Sequence, residues 1–195
     1  PAESSATMKD SNSVERFYFD HNATTPVRAE ALEAFVDAAR ESYGNASSVH
    51  HFGQAARALL ESARRRLAGA LGCAPREVVF TSGGTEAGNL AVLGAVRHSA
   101  RPRKHVVTSA LEHPAVLNAC AQLEREGVQV TYVRPSPQGV VDPDDVRRAL
   151  RPETVLITVM HANNELGTVQ PLAEIARLSR EAGVLVHSDR KSTRL

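Results

Sequence analysis

Residues 77–81, 105–109, 128–133, 154–160 and 184–187 are short runs rich in β-branched and apolar side chains, and a helical stretch follows each of the first four. The helical stretches are residues 86–98, 114–126, 143–150 and 171–181, and no internal repeat or low-complexity segment interrupts the order. Strands that alternate with helices in this way form βαβ units, so the fold class is α/β with a mainly parallel, doubly wound sheet. Such strands are covered on both faces, which calls for near-continuous apolar runs like Val184-Leu185-Val186. Ligands of open parallel sheets sit outside the carboxyl ends of the strands, so the polar residues just after each run become the candidates for chemistry.

Ahead of this region, Tyr18-Phe19-Asp20 reads as a short extended segment and Asn22-Ala23-Thr24-Thr25-Pro26 as turn chemistry. Thr25 is placed for an N-cap with Pro26 at the first helical position, and residues 29–40 carry a helical apolar period. A loop of small polar residues, 42–48, precedes a long helix over residues 52–71, with Ala55, Leu59, Ala63 and Leu67 on one face and Gly72 as its stop signal.

With 195 residues, the chain can build one core, or one domain and part of another. A net charge of +1 gives no global pull towards nucleic acid or an anionic membrane, and 4% aromatics without Trp make a base-stacking surface a poor expectation. No apolar run approaches the ~20 residues of a membrane span. Cys73 and Cys120 do not amount to a disulfide framework, which suits a reducing, cytoplasmic setting. Both read as small buried residues. Residues 1–16 read as a polar leader without the apolar core of a secretion signal. Lysine is scarce, occurring only at Lys9, Lys104 and Lys191.

Four polar clusters fall at the expected carboxyl ends: Ser82 to Thr85, Glu112-His113, His161 to Glu165, and Asp189. Gly83-Gly84-Thr85 permits close backbone approach at a helix start, where free N–H groups and the dipole favour an anion such as phosphate. Equally, it is a tight turn with Thr85 as a cap. His113 precedes Pro114 and reads either as a capping or packing residue or as an imidazole for ring stacking and proton transfer. Asn163 and Asn164 are turn formers or amide donors. Asp189 is a helix N-cap or an acid paired with a protonated ring nitrogen. His161 and Glu165 lack a third ligand at metal spacing, so no metal site is expected. Taken together, the four clusters describe a site for a planar phosphorylated heterocycle, which pyridoxal 5'-phosphate satisfies.

The segments Tyr18-Phe19-Asp20-His21-Asn22-Ala23-Thr24-Thr25-Pro26, Tyr43-Gly44-Asn45-Ala46-Ser47-Ser48-Val49-His50, Thr81-Ser82-Gly83-Gly84-Thr85-Glu86, Glu112-His113-Pro114-Ala115-Val116, residues 160–171 and His187-Ser188-Asp189 occur in this order. In this the chain resembles the cysteine desulfurases, a branch of the class V aminotransferase group of fold-type I pyridoxal-phosphate enzymes. The resemblance runs from Tyr18 to Asp189. It implies a truncated form of the large cofactor-binding domain of that fold over residues 29–189. Residues 17–28 would pack with a small domain that is not in the sequence.

Residue by residue, the resemblance gives Gly84 and Thr85 the phosphate, and His113 the ring face and the catalytic proton transfer. It gives Asn164 the phenolic oxygen, Asp189 the pyridinium nitrogen, and Asn45 and His50 the border of the substrate pocket. The implied reaction takes sulfur from L-cysteine onto an enzyme thiolate, releases alanine, and passes the persulfide sulfur to a scaffold or carrier protein for iron–sulfur cluster assembly or another sulfur-transfer pathway. A homodimer is implied too. Two departures stand out. Arg190, Lys191 and Ser192 replace the family's continuation, so residues 190–195 read as a foreign tail. The family's Schiff-base lysine and nucleophilic cysteine lie downstream of Leu195, which makes the 195 residues alone an expected inactive fragment. Alternative readings are another class V enzyme, such as a selenocysteine lyase or an aminotransferase, and a non-catalytic scaffold relative.

Overall fold

A computed structural model describes residues 16–190. These divide into two compact units, one ending at Val79 and the other beginning at Phe80. The leader and tail readings, with Lys9 and Lys191, lie outside the described residues apart from Arg16 and Arg190.

The second unit is built on a four-stranded parallel sheet of β1 (His105–Ser109), β2 (Gln129–Val133), β3 (Thr154–Thr158) and β4 (Leu185–His187), in the order β2-β1-β3-β4. The connections run through α4 (Pro114–Arg125), α5 (Pro143–Ala149) and α6 (Leu172–Ala182), with α3 (Gly84–His98) ahead of β1. Alternate residues of a strand point to opposite faces, and the core divides accordingly. Val106 and Leu156 pack with Val92 and Val96 of α3 and with Val116, Cys120 and Leu123 of α4. Val107 and Ile157 pack with Val146 of α5 and Ile175 of α6. Helices on both faces make the sheet doubly wound, as the alternation predicts.

The strand order fixes where a ligand belongs. From β1 the chain turns to β2 on one side, and from β3 to β4 on the other, so the carboxyl ends of β1 and β3 flank a topological switch point. At the opposite, amino end, buried His105 holds β1 to its neighbours. Its Nδ1 lies 2.8 Å from Thr154 Oγ1 and its Nε2 2.9 Å from Thr131 Oγ1. Burial pushes this imidazole down to about 4, so it is neutral and its two nitrogens divide into one donor and one acceptor.

In the first unit, α1 (Ala29–Glu41) and α2 (His51–Leu71) are followed by a 3₁₀ turn, Pro75–Glu77. Several sequence expectations need correction. Residues 78–81 form no strand, because β-branched side chains stabilise extended backbone only when a neighbouring strand pairs with them. Thr25 and Pro26 do not open α1, which begins three residues after Pro26 with Arg28 at the N-cap. Thr85 lies within the first turn of α3, and Gly83 is the N-cap. β4 is an edge strand with Leu185 59% and Val186 43% exposed, so its apolar run is not covered on both faces. Cys73 is only partly buried, whereas Cys120 is fully buried.

Candidate active site

Loops after β1, β3 and β4 meet at the switch-point edge, tied together by a few hydrogen bonds. After β1, the Ser109 hydroxyl accepts from Leu111 N–H at 2.9 Å and turns the chain. Glu112, 4% exposed, then reaches under the loop after β3, where its Oε1 accepts from Met160 N–H at 2.5 Å. His113 caps α4, its Nδ1 accepting from Ala115 N–H at 3.1 Å. A ring nitrogen that accepts carries no hydrogen, so Nε2 bears the proton of this imidazole. The capping reading of His113 therefore holds, and it leaves Nε2 as the ring's other polar atom.

The loop after β3 is shaped from within by Asn163. Its Oδ1 accepts from Glu165 and Leu166 N–H at 2.9 and 2.8 Å, and its Nδ2 donates to Leu111 O at 3.1 Å. Asn163 is the buried turn former, and its amide is fully engaged. Asn164 beside it is only partly buried. Gly167, at φ 73°, closes the turn, its N–H donating to Asn163 O at 2.8 Å. Gln170 secures the far side: buried, it accepts from Val141 N–H at 2.8 Å and donates to Gly139 O at 2.9 Å.

After β4, Asp189 continues the ladder, its carbonyl accepting from His161 N–H at 2.9 Å. Two residues back, His187 Nδ1 lies 2.8 Å from Thr158 Oγ1, and burial lowers the pKa of this ring against the opposing pull of Asp189. The first turn of α3, holding Gly84 and Thr85, packs its Gly88 towards Val116 of α4, and α3 also packs against β3 and β4. Glu86 folds back on Ser82, accepting from its N–H at 2.7 Å and its hydroxyl at 2.6 Å, which lowers the carboxyl pKa. That arrangement satisfies the loop while the first N–H groups of α3 stay at the helix start.

His113, Asn164 and Asp189 thus lie on loops stitched to one another, with Gly84 and Thr85 on a helix of the same unit. Asn45 and His50 belong to the first unit. There Asn45 Oδ1 accepts from Ser47 N–H at 2.9 Å, and His50 caps α2 by accepting from Gly53 N–H at 3.3 Å. Both carry local structure in a tightly folded loop, where a Cβ on Gly44 would stand 2.3 Å from Phe52 O. Cys120, at the face of α4 towards the sheet, is pushed up to about 11 by burial and stays a thiol.

A model of the aminotransferase class-V family matches residues 17–194. The chain belongs to the class-V aminotransferases. The family uses pyridoxal phosphate. Among its members, the cysteine desulfurase IscS of Anaeromyxobacter sp. (strain K) is 49% identical over 173 residues, which cover 88% of this chain and 43% of that protein. A NifS-like protein of known structure superposes with a TM-score of 0.87 at 36% identity, over 91% of this chain and 49% of that one. SspA, solved in complex with cysteine, superposes with a TM-score of 0.84 at 40% identity, over 88% and 49%. The class-V chain described here therefore spans about half the length of the relatives it matches. No helix among its described residues is long and apolar enough to cross a membrane.

Glu112 and Gln170 are residues that the sequence pattern did not single out for their roles. The signal for Glu112 was its position, an acid directly between a strand end and a capping His-Pro pair. For Gln170 there was no comparable signal, because its partners lie in a connection 29 and 31 residues away.

Proposed function

We propose that these residues form part of the pyridoxal-phosphate site of a cysteine desulfurase. One observation carries the reading: a helix start, an imidazole, an asparagine-bearing loop and an acid belong to one unit at the switch point of a parallel sheet. The donor set suits the group. Buried Glu112 Oε2, His161 Nδ1 and Ser188 Oγ make no hydrogen bond within the described residues at that edge, as expected where a polar ligand completes a site. Bound there, pyridoxal phosphate supplies an electron sink for carbanion chemistry.

Gly84 and Thr85 bind the phosphate through first-turn N–H groups and the Thr85 hydroxyl. His113 covers the ring face and moves a proton at Nε2. Asn164 donates an amide hydrogen to the phenolic oxygen, and the Asp189 carboxylate holds the proton on the ring nitrogen. The acceptor of substrate sulfur is a thiolate outside the buried core, since Cys120 keeps its proton. Residues 29–189 are the cofactor-binding domain in this reading, and residues 17–28 pack with the small domain of a longer protein. That protein works as a cytoplasmic homodimer and delivers persulfide sulfur to a scaffold or carrier for iron–sulfur clusters or other sulfur transfer.

The test is alanine and sulfide production from L-cysteine by a protein of the relatives' length that carries these residues. Asp189→Asn should lower kcat/KM by at least about a hundredfold, roughly 3 kcal/mol of transition-state stabilisation. Turnover unchanged by that substitution would refute the assignment.

A further inference from the structure

Glu112 stands apart from the residues assigned so far. It bridges the switch point itself, leaving the chain after β1 and holding Met160 N–H, two residues past the carboxyl end of β3, at 2.5 Å. Its other oxygen is buried without a hydrogen-bond partner among the described residues, although the side chain is 4% exposed. A carboxylate with one hydrogen bond in such a place is costly, because half its lone pairs are neither solvated nor paired. The titratable groups that face it are Asp189 from the loop after β4 and Cys120 from α4, and no cation among the described residues offsets it. His187 in turn faces Asp189. Two adjacent carboxyl groups at one edge do not both ionise readily.

We propose that Glu112 is a positioning residue of the cofactor site, a carboxylic acid that keeps its proton while clamping the β3 loop to the β1 loop. This deepens the pyridoxal-phosphate reading and rests on it. Burial and the nearby Asp189 charge push the Glu112 carboxyl up to about 7 against the pull of the Met160 N–H, in line with that assignment. The clamp matters because His113 and Asn164 stand on the two loops it joins. Their separation is set by a bond that either a protonated acid or an amide at position 112 can make.

The experiment uses the 195-residue chain. Glu112 is followed by carboxyl-carbon NMR as pH is varied, and pyridoxal phosphate is titrated into wild type, Glu112→Gln, Glu112→Ala and Asp189→Asn. The expected results are a Glu112 carboxyl that is still mostly protonated at pH 6, and an affinity for Glu112→Gln within about twofold of wild type. Glu112→Ala should bind at least about tenfold more weakly, the loss of one buried hydrogen bond. A Glu112 carboxyl that titrates in the ordinary carboxylate range overturns the proposal, and so does equal binding by the Gln and Ala variants. If Glu112→Ala does not fold, the wild-type titration and the Gln variant decide the matter. If wild type binds while Asp189→Asn binds as well, it is the pyridinium assignment of Asp189 that fails, whatever Glu112 does.

Discussion

Asn163 and Asn164 carry the same amide one residue apart, yet the fold gives them different work. Asn163 spends its oxygen on two N–H groups and its nitrogen on Leu111 O, all within a buried turn. Asn163→Ala should therefore cost about 2–3 kcal/mol in urea unfolding, since it strands several backbone groups at once. Asn164→Ala should cost much less stability and show its effect in the affinity for pyridoxal phosphate; the reverse pattern would exchange the two roles. The sequence allowed either reading of each residue, because only the three-dimensional turn shows which amide faces inward. Glu112 was hidden for the same reason: nothing in Leu111-Glu112-His113 reveals that its carboxyl lies beneath Met160. His113 was the more legible residue, since His before Pro at a helix start satisfies a cap from local chemistry alone.

At the scale of elements, the two ends of the sheet respond to pH in opposite senses. His105 has its folded pKa depressed from 6.5 to about 4, so the unfolded chain binds more protons in that window. Its contribution is present above pH 6.5 and is lost as pH falls towards 4, by about 3 kcal/mol. Glu112 has its folded pKa raised from 4.5 to about 7, so the native chain holds the extra proton. Its contribution is present below pH 4.5 and is lost as pH rises through 7, by a similar amount of about 3 kcal/mol. The two offset each other in wild type. Glu112→Gln should unmask a stability that climbs between pH 4 and 6.5, and denaturant midpoints across that range measure it directly. A midpoint profile parallel to wild type would show that Glu112 titrates in the native state as it does in the unfolded chain.

The strands also differ in what they bury. Ile157→Ala in β3, whose side chain is fully buried, should cost about 2–5 kcal/mol, whereas Leu185→Ala in β4 should cost well under half of that. The helices α3 to α6 and β1 were readable because the apolar spacing there matches the packing on the two faces of the sheet, whereas the apolar face read for α2, with Leu59 and Leu67, is exposed. The exposure of β4 was not, since a run of Val and Leu reads the same on an edge as in the middle of a sheet. Residues 78–81 show the limit from the other side: strong β composition without a partner strand leaves the chain irregular.

For the whole molecule, strand order decides more than any single motif. The alternation of runs pointed to a parallel sheet, but the order β2-β1-β3-β4 locates the switch point between β1 and β3 and makes one edge chemically distinct. The amino edge holds a sealed His105–threonine bridge, which is structural. The carboxyl edge holds buried polar atoms still short of partners, together with the loops bearing His113, Asn164 and Asp189. The central claim, that this edge holds pyridoxal phosphate, is tested most directly by absorbance titration of the cofactor into the 195-residue chain and its Asp189→Asn variant. Saturable binding that weakens at least about tenfold with Asp189→Asn, a loss of roughly 1.4 kcal/mol, is the predicted result. Absence of saturable binding, or equal binding by the two proteins, would contradict it.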